Sequence, residues 1–102
     1  MRAMRLDLNS ISLIDINGDT IEAELKAMQK AVGGFIETVR LKDGGIMLVD
    51  EEGMLKQYPR NELASILSSH HIYGTALIVG QSGDRLTDVP EKYLALLEIG
   101  EV

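Results

Sequence analysis

The sequence predicts an α+β fold with a mixed, mainly antiparallel sheet, a central hairpin and two to three helices. Three observations support this prediction. Apolar and polar residues alternate near the N-terminus, which is typical of a half-buried strand. Apolar residues between Ile21 and Val32 recur at spacings of four, three and four, which is typical of an amphipathic helix. Apolar runs within 34–53 and 74–80 are bounded by glycine, which is typical of buried strands.

Length and composition predict a single domain over residues 1–102. A chain of 102 residues can build one hydrophobic core but is too short for two. Hydrophobic residues make up 45% of the chain and charged residues 25%, as in an ordinary globular protein. Because the chain has no Trp and only one Phe, we expect an aliphatic core.

The first third of the chain is predicted to form two strands and a helix. Residues 4–8 alternate between apolar and charged, and 11–16 form a second apolar strand that can pair with them. Asp19 is a candidate N-cap with Glu22 three residues on, as in a capping box. The apolar face of the helix consists of Ile21, Leu25, Met28 and Val32. Gly33 and Gly34 then end the helix.

The middle of the chain predicts a hairpin followed by a short helix. Residues 35–41 and 46–50 form the two strands, and Asp43-Gly44 is the turn between them. Asn61 is the candidate N-cap of the short helix. Its predicted apolar face consists of Leu63, Ile66 and Leu67.

The last third of the chain predicts a buried strand and a final helix. Residues 74–80 are nearly all apolar, so we expect a central strand covered on both faces. Residues 81–86 are predicted to be a loop. The final helix begins near 87–90, with proline in its first turn. The residues expected to be buried on it are Tyr93, Leu94 and Leu97.

Carboxylates on the apolar face of the hairpin are its most unusual feature. Strand alternation places Glu37 in the same stripe as Val39. With a two-residue loop Glu37 faces Asp50, and with the three-residue loop 43–45 it faces Glu51. Directly opposed like charges destabilise a sheet. Three explanations remain open: a cation (Lys56, Arg60 or a metal) between the acids, one protonated carboxyl group, or a solvated strand end.

The loop that follows the acidic run is a second candidate for recognition. It places an aromatic ring, a guanidinium and an amide close together in sequence, and polar loops often carry binding. The predicted ligand- or partner-binding residues are therefore Glu37, Asp50, Glu51, Tyr58, Arg60 and Asn61. No catalytic or metal-ligating residue is assigned. His70 and His71 are adjacent, so their side chains are not expected to converge on one metal ion.

Charge and cysteine content bear on partners and compartment. The net charge of −6 repels phosphate, so we expect no direct nucleic-acid partner. An acidic DNA mimic is an alternative, although here acids alternate with basic residues. The absence of cysteine excludes disulfides and fits a cytoplasmic location. No apolar run is long enough to predict a membrane span.

Four motifs in order give the chain a family resemblance. "VGGFIETVRL", "VDEEG", "YPRN" and "IYGTALIVG" resemble the pattern of the domain of unknown function 3846 family across about Leu25 to Gly80. The matching positions are Gly33, Gly34, Glu37, Glu52, Gly53, Asn61, Gly74 and Gly80. The resemblance implies an origin in phages, plasmids or other mobile elements of bacteria, and it carries no activity.

These observations favour a small, non-enzymatic, homo-oligomeric binding protein that needs no cofactor. Open sheet edges often pair with another chain, which is the reason to expect homo-oligomers. The resemblance adds the expectation of interference with a host process such as defence, by sequestering a protein or a nucleotide signal. The alternative is a metal-assisted hydrolase that uses the carboxylates of Glu37 and Asp50 or Glu51.

Overall fold

One six-stranded antiparallel sheet organises the fold, which a computed structural model describes for residues 1–99. The strands are β1 (Arg2–Leu6), β2 (Ile11–Asp15), β3 (Ile36–Arg40), β4 (Ile46–Asp50), β5 (Ala76–Ser82) and β6 (Arg85–Thr87). The helices are α1 (Ile21–Val32), α2 (Glu62–Ser68) and α3 (Leu96–Ile99), and a 3₁₀ helix at Glu91–Ala95 precedes α3. The α+β class is therefore confirmed. Residues 100–102 of the predicted single domain lie outside the described residues.

The strand order is β2-β1-β5-β4-β3, and β6 pairs with the C-terminal end of β5. Every strand pairing within residues 1–99 is antiparallel, so the described sheet has no parallel part. β5 lies at the centre and is buried from Ala76 to Gly80, as its apolar run predicts. The β3–β4 hairpin lies at one end of the sheet instead of its centre, and this makes β3 an edge strand within residues 1–99.

Helices cover both faces of the sheet. On one face, Met28 and Val32 of α1 pack against a cluster that includes Leu48 and Leu77. On the other face, α2 and the C-terminal helical segment pack through a second cluster that includes Tyr93. β4 is buried at every position because it is covered from both sides.

The start of α1 corrects the predicted cap by one residue. Thr20, not Asp19, is the N-cap, and its hydroxyl accepts a hydrogen bond from the Ala23 N–H at 3.0 Å. Asp19 and Thr20 are both good capping residues, so the sequence alone does not separate them. The end of α1 is as predicted, because Gly33 adopts the left-handed conformation with φ of 99°.

The predicted apolar face of α1 is correct only in its second half. Met28 and Val32 are buried, whereas Ile21 is 72% exposed and Leu25 is 42% exposed. The two buried residues belong to the cluster under the sheet, so only the C-terminal half of α1 is packed deeply against it. The helical period identifies a stripe on a helix, but it does not tell how much of the stripe is covered.

The hairpin uses neither of the two predicted registers. Its loop is Lys42-Asp43-Gly44, in which the Gly44 N–H donates to the Leu41 carbonyl at 3.2 Å. Gly44 has a φ of 93°, as in a type I turn followed by a left-handed residue. Glu37 consequently lies opposite Val49, and Asp50 lies opposite Ile36 on the other face. Glu37 is exposed and faces no acid directly.

The short helix α2 keeps its predicted cap but buries different side chains. Asn61 is the N-cap, and its side-chain oxygen accepts a hydrogen bond from the Ala64 N–H at 3.1 Å. Ile66, predicted to be apolar core, is 70% exposed. Leu63 and Leu67 are partly buried against the core. The fully buried positions are Ala64, Ser65 and Ser68.

The segment predicted to be a loop at 81–86 contains the β5–β6 hairpin. Ser82 pairs with Arg85 across Gly83 and Asp84, and Gly83 has a φ of 62°. Glycine at the first position of a two-residue loop favours a type II′ hairpin turn. The final helical segment begins at Glu91 as a 3₁₀ helix after Pro90, and it buries Tyr93.

No helix within residues 1–99 combines the length and hydropathy that a membrane-spanning helix requires.

Candidate functional site

Asp50 ends β4 with a carboxylate that is almost completely buried. Only 1% of its side chain is exposed. The Lys56 ammonium donates to Oδ2 at 2.8 Å, and the Glu52 backbone N–H donates to Oδ1 at 2.9 Å. Lys56 also donates to the Gly33 carbonyl at 3.0 Å. The ion pair therefore joins the end of β4, the turns of 51–57 and the C-terminus of α1.

The surroundings of Asp50 favour its charged form. Burial raises the pKa of the Asp50 carboxyl, but the hydrogen bonds from Lys56, Glu52 N–H and Tyr58 together hold that pKa below its ordinary value. The hydrogen bond to Asp50 in turn raises the pKa of Lys56. Lys56, one of the cations considered for the hairpin, thus pairs with Asp50, but it does not lie between two opposed acids because Glu37 faces Val49.

Gly34 and Gly74 leave room for the cluster formed by Asp50, Lys56 and Tyr58. A Cβ atom built on Gly34 would lie 2.6 Å from the Lys56 ammonium and 2.9 Å from both Asp50 carboxylate oxygens. A Cβ atom on Gly74 would lie 2.5 Å from the Tyr58 ring, and φ at Gly74 is 86°. Tyr58 therefore packs directly on backbone, and its ring also lies 5.9 Å from the Lys56 ammonium.

Asn61 holds three parts of the chain together. Its Nδ2 donates to the Leu6 carbonyl and to the Gly74 carbonyl, each at 2.9 Å, while Oδ1 caps α2. The residue is 2% exposed. All of its side-chain hydrogen-bonding groups have protein partners, so its position indicates a structural role and leaves no group directed to a ligand.

Arg60 lies on the surface and pairs with a nearby acid. Its backbone forms an isolated bridge with Tyr73, and its Nε lies 3.4 Å from a carboxylate oxygen of Glu62. Both side chains of this ion pair are well exposed, so the pair adds little stability.

A groove of about 310 Å³ lies beside the edge strand β3. We call it the acidic groove, and it is lined by Glu37, Val39, Val49, Asp50, Glu51, Gly53, Met54, His70, His71, Ile72 and Tyr73. Within the described residues, no Lys or Arg lines it. The volume is near the lower end of the range for small-molecule pockets.

Glu37 and Glu51 give the acidic groove its accessible negative charge. The Glu51 N–H donates to the Phe35 carbonyl at 2.9 Å, so the ladder continues past the end of β4 and places Glu51 diagonally from Glu37. Both glutamates are exposed. Diagonal neighbours on one face are about 7–8 Å apart, a distance at which a cationic group can approach both.

The structure divides the predicted site residues into three places. Glu37, Asp50 and Glu51 line the acidic groove, although the Asp50 carboxylate is bound to Lys56. Tyr58 lies beside the C-terminal end of α1, whereas Arg60 and Asn61 line a different surface depression near Asp7.

Eight residues that line the acidic groove are not among the predicted site residues. They are Val39, Val49, Gly53, Met54, His70, His71, Ile72 and Tyr73. Ser69 takes the left-handed conformation at the end of α2, so both histidines follow the helix and do not continue it. The serine-rich end of α2 is a weak signal for this turn. Within residues 1–99, no group of three or more His, Asp or Glu residues is placed to hold a metal ion.

In the comparison with protein families, the model of the domain of unknown function family DUF3846 matches residues 1–98. The chain belongs to this family. Comparison with curated proteins finds no match, and comparison with solved structures finds none either.

The positions that carry the DUF3846 resemblance have clear places in the fold. Gly33, Gly34 and Gly74 surround the Asp50–Lys56–Tyr58 cluster. Asn61 donates a hydrogen bond to the carbonyl of Gly74. Their packing explains them without a ligand. Glu37 differs, since it is exposed and has no partner within residues 1–99 among the hydrogen bonds and ion pairs of the structure. Glu52 is also exposed, and its side chain has no such partner, but it does not line the acidic groove. Glu37 is therefore the motif residue that is both exposed and part of that groove.

Proposed function

We propose that the protein is a non-enzymatic binding protein whose acidic groove receives a lysine- or arginine-bearing segment of a partner protein. The observation that carries the proposal is the pair of exposed glutamates, Glu37 and Glu51, in a groove without Lys or Arg among the described residues. Opposite charge steers encounter and fixes orientation. Partly apolar walls, including Val39 and Met54, provide surface for the aliphatic stem of a basic side chain.

The charge of the acidic groove favours a protein over a nucleotide signal. A nucleotide carries phosphate groups, and phosphate sites are built from Arg, Lys or backbone N–H groups at helix N-termini. The acidic groove instead presents carboxylates beside the C-terminal end of α2. The partial charge of a helix C-terminus is also negative, which disfavours phosphate further.

A hydrolase is less well supported, because the carboxylates that it requires have different orientations. Glu37 points to the groove face of the hairpin, whereas Asp50 is opposite Ile36 and its carboxylate is held by Lys56. A carboxylate already paired with an ammonium is a poor metal ligand or general base.

The setting implied by the family resemblance gives the binding a biological purpose. We propose that the protein acts in the cytoplasm for a phage or mobile element. There it would interfere with a host process, such as defence, by sequestering a host protein through its basic segment.

A peptide-library selection tests the proposed function. Displayed random heptapeptides are selected on the wild-type protein and on the Glu37→Gln/Glu51→Gln variant. The proposal expects Lys or Arg to be enriched in peptides selected on the wild type and this enrichment to disappear on the variant. Peptides without a basic bias, or the same peptides from both proteins, would contradict it. A parallel titration with a panel of nucleotides should give no binding.

A further inference from the structure

Resting on the proposed function, we infer that the basic segment binds as an additional antiparallel strand on the free edge of β3. Its backbone pairs with β3 while its basic side chains enter the acidic groove. The two parts of the site, a hydrogen-bonding edge and a charged groove, lie side by side on the same strand.

The ladder between β3 and β4 identifies the free backbone groups. The Leu41 N–H donates to the Gly45 carbonyl at 2.9 Å, and the Phe35 carbonyl accepts from the Glu51 N–H at 2.9 Å. In an antiparallel pair, hydrogen-bonded positions alternate with positions whose N–H and C=O groups point away. Odd-numbered residues of β3 therefore bond to β4. The even-numbered residues Ile36, Thr38 and Arg40 direct their backbone groups outward.

Those outward groups are available to another chain. β3 pairs with β4 alone among the described residues, and Thr38 and Arg40 are exposed. An exposed edge of this kind is a template for strand addition, in which backbone bonds give affinity and side-chain pockets give specificity. Phe35, at 67% exposure, offers an apolar contact at one end of the same edge.

Side-chain alternation then fixes where the basic residues of the added strand must stand. The residue of the added strand that lies opposite Thr38 forms backbone hydrogen bonds with it and places its side chain on the same face of the sheet as Thr38. Residues opposite Glu37 and Val39 place theirs on the groove face, where Glu37 and Glu51 lie. The complementary segment thus has Lys or Arg at every second position, and the amides of the intervening residues form the bonds.

Charge also distinguishes this occupant from a second copy of the chain. In an antiparallel β3–β3 pair centred on Thr38, Glu37 lies opposite Val39 of the copy and diagonally from the Glu37 of the copy. Two exposed carboxylates would then approach on one face, which is unfavourable. A basic segment supplies the opposite charge at the same positions.

The test uses an acetylated and amidated heptapeptide that alternates Thr and Lys, with Thr at both ends. Two isomers carry three N-methyl groups each, one on the backbone amides of the last three Thr residues and one on the backbone amides of the three Lys residues. Methylation removes a donor and adds bulk, so only the Thr-methylated isomer should lose binding to the protein, by roughly tenfold or more. Isothermal titration at low salt gives the three affinities.

Proline variants of the protein provide the reciprocal test. Thr38→Pro removes an outward N–H, a change that an edge strand accepts without losing its ladder. Thr38→Pro should lower the affinity of the protein for the heptapeptide by roughly tenfold. Asp15→Pro, on the edge strand β2 at the opposite side of the sheet, is the matched control. There the Ile16 N–H donates to the Met1 carbonyl within the sheet. Because inward and outward groups alternate along a strand, the N–H of the exposed Asp15 points outward. That control should bind as the wild type does.

Each failure has a separate meaning. If both methylated isomers and Thr38→Pro bind normally while Glu37→Gln/Glu51→Gln does not, strand addition is wrong and the acidic groove remains the site. If the heptapeptide binds no better to the wild type than to the double glutamine variant, the proposed function fails as well. If the wild type forms a dimer that Thr38→Pro abolishes, a second copy occupies the edge and the inference is overturned.

Discussion

Glu37 lies directly opposite Val49 in the β3–β4 ladder and only diagonally from Glu51. This relationship separates the acidic residues of the hairpin into two kinds. Asp50 is buried and paired with Lys56, whereas Glu37 and Glu51 are exposed on the face of the acidic groove. The buried acid contributes to stability, and the exposed acids are available for binding.

The first prediction concerns the stability effect of Glu37. Because its side chain is exposed and faces an apolar residue, Glu37→Gln should change the free energy of unfolding by less than about 0.5 kcal/mol. Urea denaturation followed by circular dichroism measures this value, with Glu51→Gln as the matched change. A stabilisation above about 1 kcal/mol would show that carboxylates repel one another across the hairpin after all.

The second prediction concerns the two partners of the buried ion pair. Asp50→Asn should cost about 1–3 kcal/mol, because it weakens charge-assisted hydrogen bonds. Lys56→Met should be more damaging, since it leaves a buried carboxylate without its cation. Chemical denaturation of both variants and of the double variant gives the coupling between them. Equal and small effects would mean that the pair is not important to the fold.

The third prediction is a loss of stability in acid. The pKa of Asp50 in the folded protein is below the ordinary value of 3.8, so between these two values the unfolded chain binds more protons. The stability that ionised Asp50 contributes is fully present above the ordinary pKa of 3.8. It is lost as the pH falls through the lowered pKa of the folded protein. The pKa of Asp7 is also lowered: burial opposes this, and hydrogen bonds from Thr75 and Arg5 outweigh it.

Melting temperatures measured from about pH 5 to about pH 2 test the acid prediction. The melting temperature of the wild type should fall steeply as the pH is lowered. That of Asp50→Asn should fall less, because one contributing carboxyl group has been removed. The Asp7→Asn variant should show a similar reduction in slope. Identical slopes in all three proteins would place the acid sensitivity in other groups.

The fourth prediction separates the two roles of Asn61. Asn61→Ala removes the cap of α2 and leaves the buried carbonyls of Leu6 and Gly74 without their donor, so a loss of about 3 kcal/mol is expected. Asn61→Ser keeps a capping oxygen and should recover about 1 kcal/mol of that loss. Urea denaturation measures both. No difference between Ala and Ser would show that the cap is unimportant.

Much of the fold is predictable from local chemistry. The left-handed Gly33, the capping Asn61 and the central β5 are all predictable because each depends on a few adjacent residues. Tertiary packing decides the rest. The exposure of Ile21 and Ile66 depends on where the sheet ends, and no helical pattern contains that information.

The hairpin register shows the limit most clearly. Gly44 and Gly45 are adjacent, and either can take a left-handed conformation. The structure uses Gly44 for the turn and packs Gly45 against Tyr93, where an added Cβ would lie 2.7 Å from the ring. That contact is between residues far apart in sequence. One residue of difference in the loop moves Glu37 from opposite an acid to opposite Val49.

The candidate site was predictable in part for a related reason. Strand alternation identifies Glu37 and Glu51 as members of one region, and the predicted cation for the hairpin includes Lys56. His70, His71 and Tyr73 reach the acidic groove only because the chain turns at Ser69 and returns toward β5. Long-range placement of this kind leaves little trace in the sequence.

The most direct measurement is the dissociation constant of the alternating Thr-Lys heptapeptide for the wild type and for Glu37→Gln/Glu51→Gln at low and high salt. The wild type should bind the heptapeptide with an affinity that weakens with salt and that is at least about tenfold lower in the double variant, with folding unchanged. Equal affinity for the two proteins, or binding that does not respond to salt, would contradict the claim that the exposed glutamates of the acidic groove form the recognition site.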